Sequence, residues 1–368
     1  MKIAIITLGI GSNYGGMLQA YALQHFLRKQ GHDAVTVWYK GNQRITTRLI
    51  LGICNNIFKK YLLRKDIKTV APIWMNKKLS EKFYKESQTF INNNIKRTEY
   101  MKDLSELNKM HFDAYIVGSD QVWRPKMNAF TLSNMFLDFL TDEKALRIAY
   151  AASFGVSNWE YPEPLTEKVA NCAKKFNAIS VRENSGVELC ERYLHVDAKH
   201  VVDPTMLLSA DDYRMLIGKG QTTSQQNKVF AYILDSDAIK QSILNKIAQT
   251  ANCEISAIDP NYSKSNSEMP SPYLWLRSID DAEYVFTDSF HGAVFSIIFN
   301  KQFYVYGNKQ RGLSRFESLL KMFGLENRIV SSPDEIAALS PINYDVVNPL
   351  LENFRKYSVE FLTKSLNA

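Results

Sequence analysis

The chain has 368 residues, 45% of them hydrophobic and 23% charged, which is long for one core and comfortable for two domains of an ordinary soluble globular protein. A formal net charge of +7 suits anionic partners, but no finger, helix-turn-helix or RNP-like signature points to nucleic acid. No apolar run is long enough to span a bilayer.

The first run, KIAIITL, is apolar and β-branched, as expected of a strand covered on both faces. It lacks the small-residue cleavage site of a signal peptide, so a buried first strand and a cytoplasmic protein are expected. The glycine-rich turn GIGSNYGG follows, then a helical pattern through Met17, Leu18, Tyr21, Ala22, Leu23, Phe26 and Leu27 that closes at Gly31. DAVTVWY is the second strand, completing the opening of a βαβ unit. FDAYIVGSD, LRIAYAASFG, FNAISVREN and KHVVDPT repeat the pattern of a buried strand running into a polar or glycine-containing turn. The polar run IGKGQTTSQQN, 217–227, reads as a linker. A second series follows: KVFAYILD, a helix through Ile243 to Ala251, CEISAID, AEYVFTD, a helix from Gly292 to Phe299, and QFYVYG.

The expected architecture is therefore α/β, with two Rossmann-like domains facing each other across a cleft. The first covers 1–216 with a basic helical insertion around 44–98, the second covers 228–345, and a helix over 346–368 packs back on the first. Ligands in such sheets collect beyond the carboxyl ends of the strands. Cys54, Cys172, Cys190 and Cys253 have neither metal-ligand nor redox spacing and are expected as reduced, packed thiols. No histidine, cysteine or aspartate cluster has metal spacing, so neither metal nor cofactor is expected.

One of only six histidines, His291, lies in DSFHG between the strand AEYVFTD and the apolar helix. Free N–H groups and the helix dipole favour an anion there, and Asp288 or Ser289 is placed to cap the helix. The bland alternative is a packed or solvent-facing turn histidine. The cations Lys309, Arg311 and Arg315 follow downstream, the first two just beyond the next strand, and should open into the same cleft. Arg182 comes directly after ISV, well suited to bidentate contact with carboxylate or phosphate; a surface ion pair with Glu183 or Glu188 would serve as well. The turn carrying Asn13, Tyr14, Gly15 and Gly16 lets backbone approach a ligand. In VGSDQVW, Gly118, Ser119 and Asp120 form either a ligand-facing turn or a helix cap.

Taken in order, GSNYGGMLQAYALQHFL, YIVGSDQVW, YAASFG, ISVRENSG, VVDPTMLL and TDSFHGAVFSIIF resemble the polysaccharide pyruvyltransferase family. The resemblance runs from the first strand to about Phe316 and is weak over 43–98 and the linker. It implies a fold like that of the GT-B glycosyltransferases. It also implies transfer of pyruvate from phosphoenolpyruvate to a sugar of a cell-envelope or capsular polysaccharide as a ketal, with release of phosphate. The family's arginine, histidine and lysine map onto Arg182, His291 and Lys309, with Arg311 competing for the last role. GSDQVW departs from the glycine run of other branches, so the acceptor sugar does not carry over.

This chemistry suits the residues. Protonation of the methylene carbon makes an oxocarbenium-like centre that a sugar hydroxyl attacks; phosphate leaves and a second hydroxyl closes the ring. Arg182, Lys309 and Arg311 have the right sign for the donor, and a histidine titrates near neutrality, as a two-way proton carrier should. Asp120 and Asp288 are candidates to orient the histidine or a hydroxyl. Asn13, Tyr14, Gly15, Gly16, Gly118, Ser119, Asp120, Asp288, Ser289 and Arg311 complete the candidate substrate contacts. A glycosyltransferase using a nucleotide sugar and a non-catalytic glycan- or anion-binding relative are the alternatives.

The stretch RITTRLILGICNNIFKKYLLRK, 44–65, has six basic residues and no acidic one, with Ile45, Leu49, Ile53, Ile57 and Tyr61 at every fourth position. Such a helix lies on an anionic membrane surface, which would suit a lipid-linked acceptor at the inner face, or else packs its stripe on the first domain.

Overall fold

A computed structural model describes residues 1–11, 13–39, 47–62, 77–128, 132–218, 227–258, 268–307, 313–338 and 340–368. Strands β1 (Lys2–Ile6), β2 (Asp33–Thr36), β3 (Ala114–Val117), β4 (Leu146–Ala152), β5 (Ala178–Val181) and β6 (Lys199–His200) form a parallel sheet in the order β2-β1-β3-β4-β5-β6. Strands β7 (Lys228–Tyr232), β8 (Glu254–Ala257), β9 (Tyr284–Thr287), β10 (Gln302–Tyr306) and β11 (Ile329–Val330) form a second parallel sheet, β11-β10-β9-β7-β8. Both are Rossmann-like, and the fold is of the GT-B type expected. Counted from its own first strand, each sheet begins 2-1-3-4-5. The strand order therefore reverses between β1 and β3 in one sheet and between β7 and β9 in the other.

Alternation along the strands explains why they are continuously apolar. Ile3 and Ile5 of β1 join one core and Ala4 and Ile6 another, because helices cover both faces. The core containing Ile3 and Ile5 also takes in Phe230 and Val285 of the second sheet and continues through Tyr14, Tyr213, Tyr232 and Trp275. The two sheets are thus joined by packed aromatic rings. Tyr14 stacks on Trp275 with centroids 5.3 Å apart, and Tyr213 meets Phe295 edge-on at 4.8 Å.

KHVVDPT contributes only Lys199–His200 as a strand; Val202 instead donates its N–H to Ser358 Oγ at 3.0 Å. Ser358 belongs to the terminal helix, Tyr344–Leu366, which contains Pro349. This helix begins beside the second sheet, where the Tyr344 hydroxyl donates to the Lys301 carbonyl. It then crosses to the first, where Arg355 Nε donates to the Met206 carbonyl at 2.7 Å. Of the expected linker, residues 219–226 lie outside the described residues.

Within 44–98 the structure has helices Thr47–Tyr61, Lys77–Phe83 and Lys85–Asn94. The last reaches the second domain, with Asn94 Nδ2 donating to the Tyr273 hydroxyl at 2.6 Å. No described helix is long and apolar enough to cross a membrane. All four cysteines are free. Cys190 is packed as expected, but Cys54 is exposed because its face of the helix Thr47–Tyr61 is uncovered.

Candidate active site

The carboxyl ends at the two strand-order reversals face each other, and His291 stands between them. It lies in the first turn of the helix Phe290–Ile298, every residue of which is buried, as an apolar helix between two sheets should be. Ser289 is the N-cap residue but makes no side-chain capping bond. Its N–H donates to Thr287 Oγ1 at 3.0 Å. The imidazole rests on the first domain at Gly15: a Cβ there would run into Nδ1 of His291.

This changes the reading of Asn13, Tyr14, Gly15 and Gly16. Asn13 Oδ1 accepts the Gly15 N–H at 3.0 Å and caps the first helix, Tyr14–Lys29. Tyr14 is buried, and its hydroxyl donates to the Pro270 carbonyl at 2.8 Å. Gly15 is the seat of the histidine, and a Cβ on Gly16 would stand 3.9 Å from Asp120 Oδ2. The glycine-rich turn, expected to let backbone approach a ligand, is in the structure the surface that receives the imidazole of the second domain.

Arg182 follows β5, its side chain 1% exposed. Nη1 donates to Asp203 Oδ2 at 2.7 Å and Nη2 faces Asp120 Oδ1 at 3.4 Å. The surface pair with Glu183 or Glu188 is not formed. Glu183 is buried, and its Oε1 accepts from Ser153 Oγ and from the N–H groups of Phe154 and Gly155. Asp203 was not singled out among the candidates, yet it is the centre of the site. Oδ1 accepts from the Thr205 N–H and hydroxyl, while Oδ2 faces both Arg182 and, at 3.6 Å, His291 Nε2. The signal was present in VVDPT, an aspartate at a strand end, where it reads as a turn former before proline.

Burial alone would raise the Asp203 carboxyl. The neighbouring His291 and the Arg182 guanidinium more than reverse this and hold it well below the usual carboxylate range. Burial opposes the charge on Arg182, but Asp203, Asp120 and Glu183 overcome it and raise its pKa. Arg182 Nε and His291 Nε2 are both buried without a hydrogen-bond partner, which is costly unless something else fills the role.

The strand-end turn of β3 is equally committed. A Cβ on Gly118 would strike the Tyr150 carbonyl. Ser119 Oγ donates to the Ala151 carbonyl at 2.8 Å and its N–H donates to Gln19 Oε1. No described helix begins at Ser119 or Asp120, so the capping alternative falls; Asp120 braces Arg182 instead. Asp288 is corrected too. Oδ1 accepts from Leu234 N and Oδ2 from Lys240 Nζ at 2.9 Å. It neither caps the helix nor orients His291, because both oxygens are held inside the second domain. Lys309 and Arg311 lie outside the described residues.

The fold has relatives among solved structures. UDP-GlcNAc 2-epimerase from Methanocaldococcus jannaschii aligns at a TM-score of 0.50 and 12% identity, covering 99% of this chain and 100% of that one. The Neisseria meningitidis enzyme aligns at 0.48 and 12%, with 99% and 100% covered. At such identities the likeness concerns the fold alone. No curated protein matches the chain. The sequence model of the polysaccharide pyruvyl transferase family matches residues 13–310, which takes in the turn under His291, both strand-end clusters and the histidine itself: the chain belongs to the polysaccharide pyruvyl transferase family.

Proposed function

We propose that the protein transfers pyruvate from phosphoenolpyruvate to two hydroxyls of a sugar in a cell-envelope or capsular polysaccharide precursor, forming a ketal and releasing phosphate. The observation that carries this reading is the meeting of Arg182, from the first domain, and His291, from the second, on Asp203. Arg182 keeps a buried Nε without a hydrogen-bond partner, and His291 Nε2 has only its 3.6 Å approach to Asp203. A small anion between the domains would satisfy both.

In this scheme Arg182 holds the donor through a guanidinium already fixed by Asp203 and Asp120. His291 delivers a proton to the methylene carbon, which becomes the methyl group, and C2 takes on oxocarbenium character. One sugar hydroxyl bonds to C2 and gives up its proton, returning the imidazole to its starting state. The C2–O bond to phosphate breaks, the second hydroxyl bonds to C2, and its proton leaves with phosphate. Asp203 stabilises the protonated imidazole and keeps the ring against Gly15. Lys309 and Arg311 supply further positive charge to the donor in this reading, and the reaction uses no bound cofactor.

His291→Ala is expected to fold normally and to lose phosphate release from phosphoenolpyruvate in the presence of acceptor by at least about a hundredfold, the lower range for general acid–base catalysis. Retained turnover would remove the role given to His291.

The acceptor in this reading is lipid-linked and met at the inner face of the cytoplasmic membrane. Support comes from the helix Thr47–Tyr61. Ile57, Phe58, Tyr61 and Leu62 are exposed there, within a stretch of six basic and no acidic residues. Co-sedimentation should be stronger with anionic than with neutral vesicles; equal pelleting, or none, removes the membrane contact.

A further inference from the structure

We propose that Phe290 is a positioning residue of the donor site: its ring, carried by the second domain, holds the Arg182 guanidinium of the first in place to receive the anion. The inference rests on the pyruvyl-donor reading above and gives a role to a side chain that this reading leaves unused.

The hydrogen bonds of Arg182 hold it firmly on one side only. Nη1 donates to Asp203 Oδ2 at 2.7 Å, but Nη2 stands 3.4 Å from Asp120 Oδ1, a long contact, and Nε is buried without a hydrogen-bond partner. Phe290 supplies a further hold. Arg182 Cζ lies over its ring, 4.4 Å from the centroid, where the negative face of the π-system attracts a guanidinium. The Arg182 side chain is 1% exposed and Phe290 6%, and exclusion of water strengthens such an attraction. A phenyl ring carries no polar atom, so it steadies the cation without offering Nε an acceptor.

The same ring meets the imidazole of His291 edge-on, with centroids 5.3 Å apart and planes at 90°. The two are successive residues of the helix Phe290–Ile298, about 100° apart around its axis. They therefore reach the first domain at different points: His291 at Gly15 and Asp203, Phe290 at Arg182. Arg315 Cζ also approaches the ring, at 5.7 Å, but it belongs to the same domain as Phe290. Arg182 is the nearer cation and the one that comes from across the seam. Donor affinity is thereby tied to the docking of the two domains, through a contact that involves no hydrogen bond.

The test is calorimetric titration of the full chain with phosphoenolpyruvate. Phe290→Met and Phe290→Leu keep apolar bulk at the position and remove the π-face. Each is expected to weaken phosphoenolpyruvate roughly tenfold, the scale of a desolvated cation over a ring; affinity equal to wild type in whichever variant folds overturns the assignment. Phenylalanine bearing one, two or three ring fluorines, incorporated at 290, keeps the shape of the side chain and drains its negative face step by step. Affinity should fall with each fluorine while the melting temperature stays level. Loss of affinity in the aliphatic variants with none across the fluorinated series would mean that the ring only fills space, and overturns the proposal. Failure of wild type to bind phosphoenolpyruvate instead overturns the donor reading on which the assignment rests.

Discussion

The two strand-order reversals each present an aspartate beyond the third strand of their sheet, and the two aspartates are wired in opposite directions. Asp120, after β3, turns toward Arg182 at the seam. Asp288, after β9, turns inward to Lys240, a lysine only 1% exposed, and to the backbone at Leu234 and Asp235. One carboxylate serves a side chain that faces the other domain; the other holds its own domain's loop in place. Strand order fixes where polar strand ends gather, and the partner reaching each end decides whether the charge is offered to a ligand or buried in the frame.

The largest effect that would test this contrast is on stability. Lys240→Met leaves Asp288 buried without its counter-charge and should cost about 3–5 kcal/mol in denaturant unfolding. Asp120→Asn removes one long contact from an arginine that keeps Asp203, and should cost only about 1 kcal/mol. Equal losses would break the comparison.

Next comes the seat of the imidazole. Gly15→Ala places a methyl group where His291 Nδ1 stands, displacing the ring while leaving the first helix a favourable residue. Turnover should fall roughly a hundredfold, the scale of an ångström-sized misplacement, with a smaller stability loss than Lys240→Met. Unchanged turnover would mean that the working imidazole is not held there.

The smallest expected effect concerns pH. His200 Nε2 lies 3.1 Å from the Arg182 carbonyl and 3.3 Å from Ser318 Oγ across the seam, and burial lowers its pKa from 6.5. The folded state holds this ring neutral. Its contribution is therefore complete above 6.5 and falls as acid protonates the unfolded chain first. Thermal melts between roughly pH 7 and 5 should show wild type losing more stability than His200→Gln; parallel losses would remove His200 from the seam's acid response.

Much of this fold was legible because the strands are covered on both faces, so KIAIITL, AYIV and YVFT announce themselves as uninterrupted apolar runs. The placement of His291 was legible too, since strand, DSFHG and apolar helix follow in one short stretch. What escaped was pairing at long range. Asp203 looks like a turn aspartate until Arg182 and His291 come to it from other elements. Asp288 looks like a helix cap until Lys240, 48 residues away, takes its carboxylate. Gly15 looks like an opening for substrate until the second domain arrives to fill it. Local propensity identifies the strand end; only tertiary contact tells which neighbour occupies it.

Anchored near Lys301 at one end and Met206 at the other, the terminal helix behaves as a single rod tying two plates. Pro349 brings no N–H to the helical ladder, so the rod bends most readily close to its start. Both ends of the rod are thus hydrogen-bonded to backbone carbonyls, so neither plate is held by side-chain packing alone.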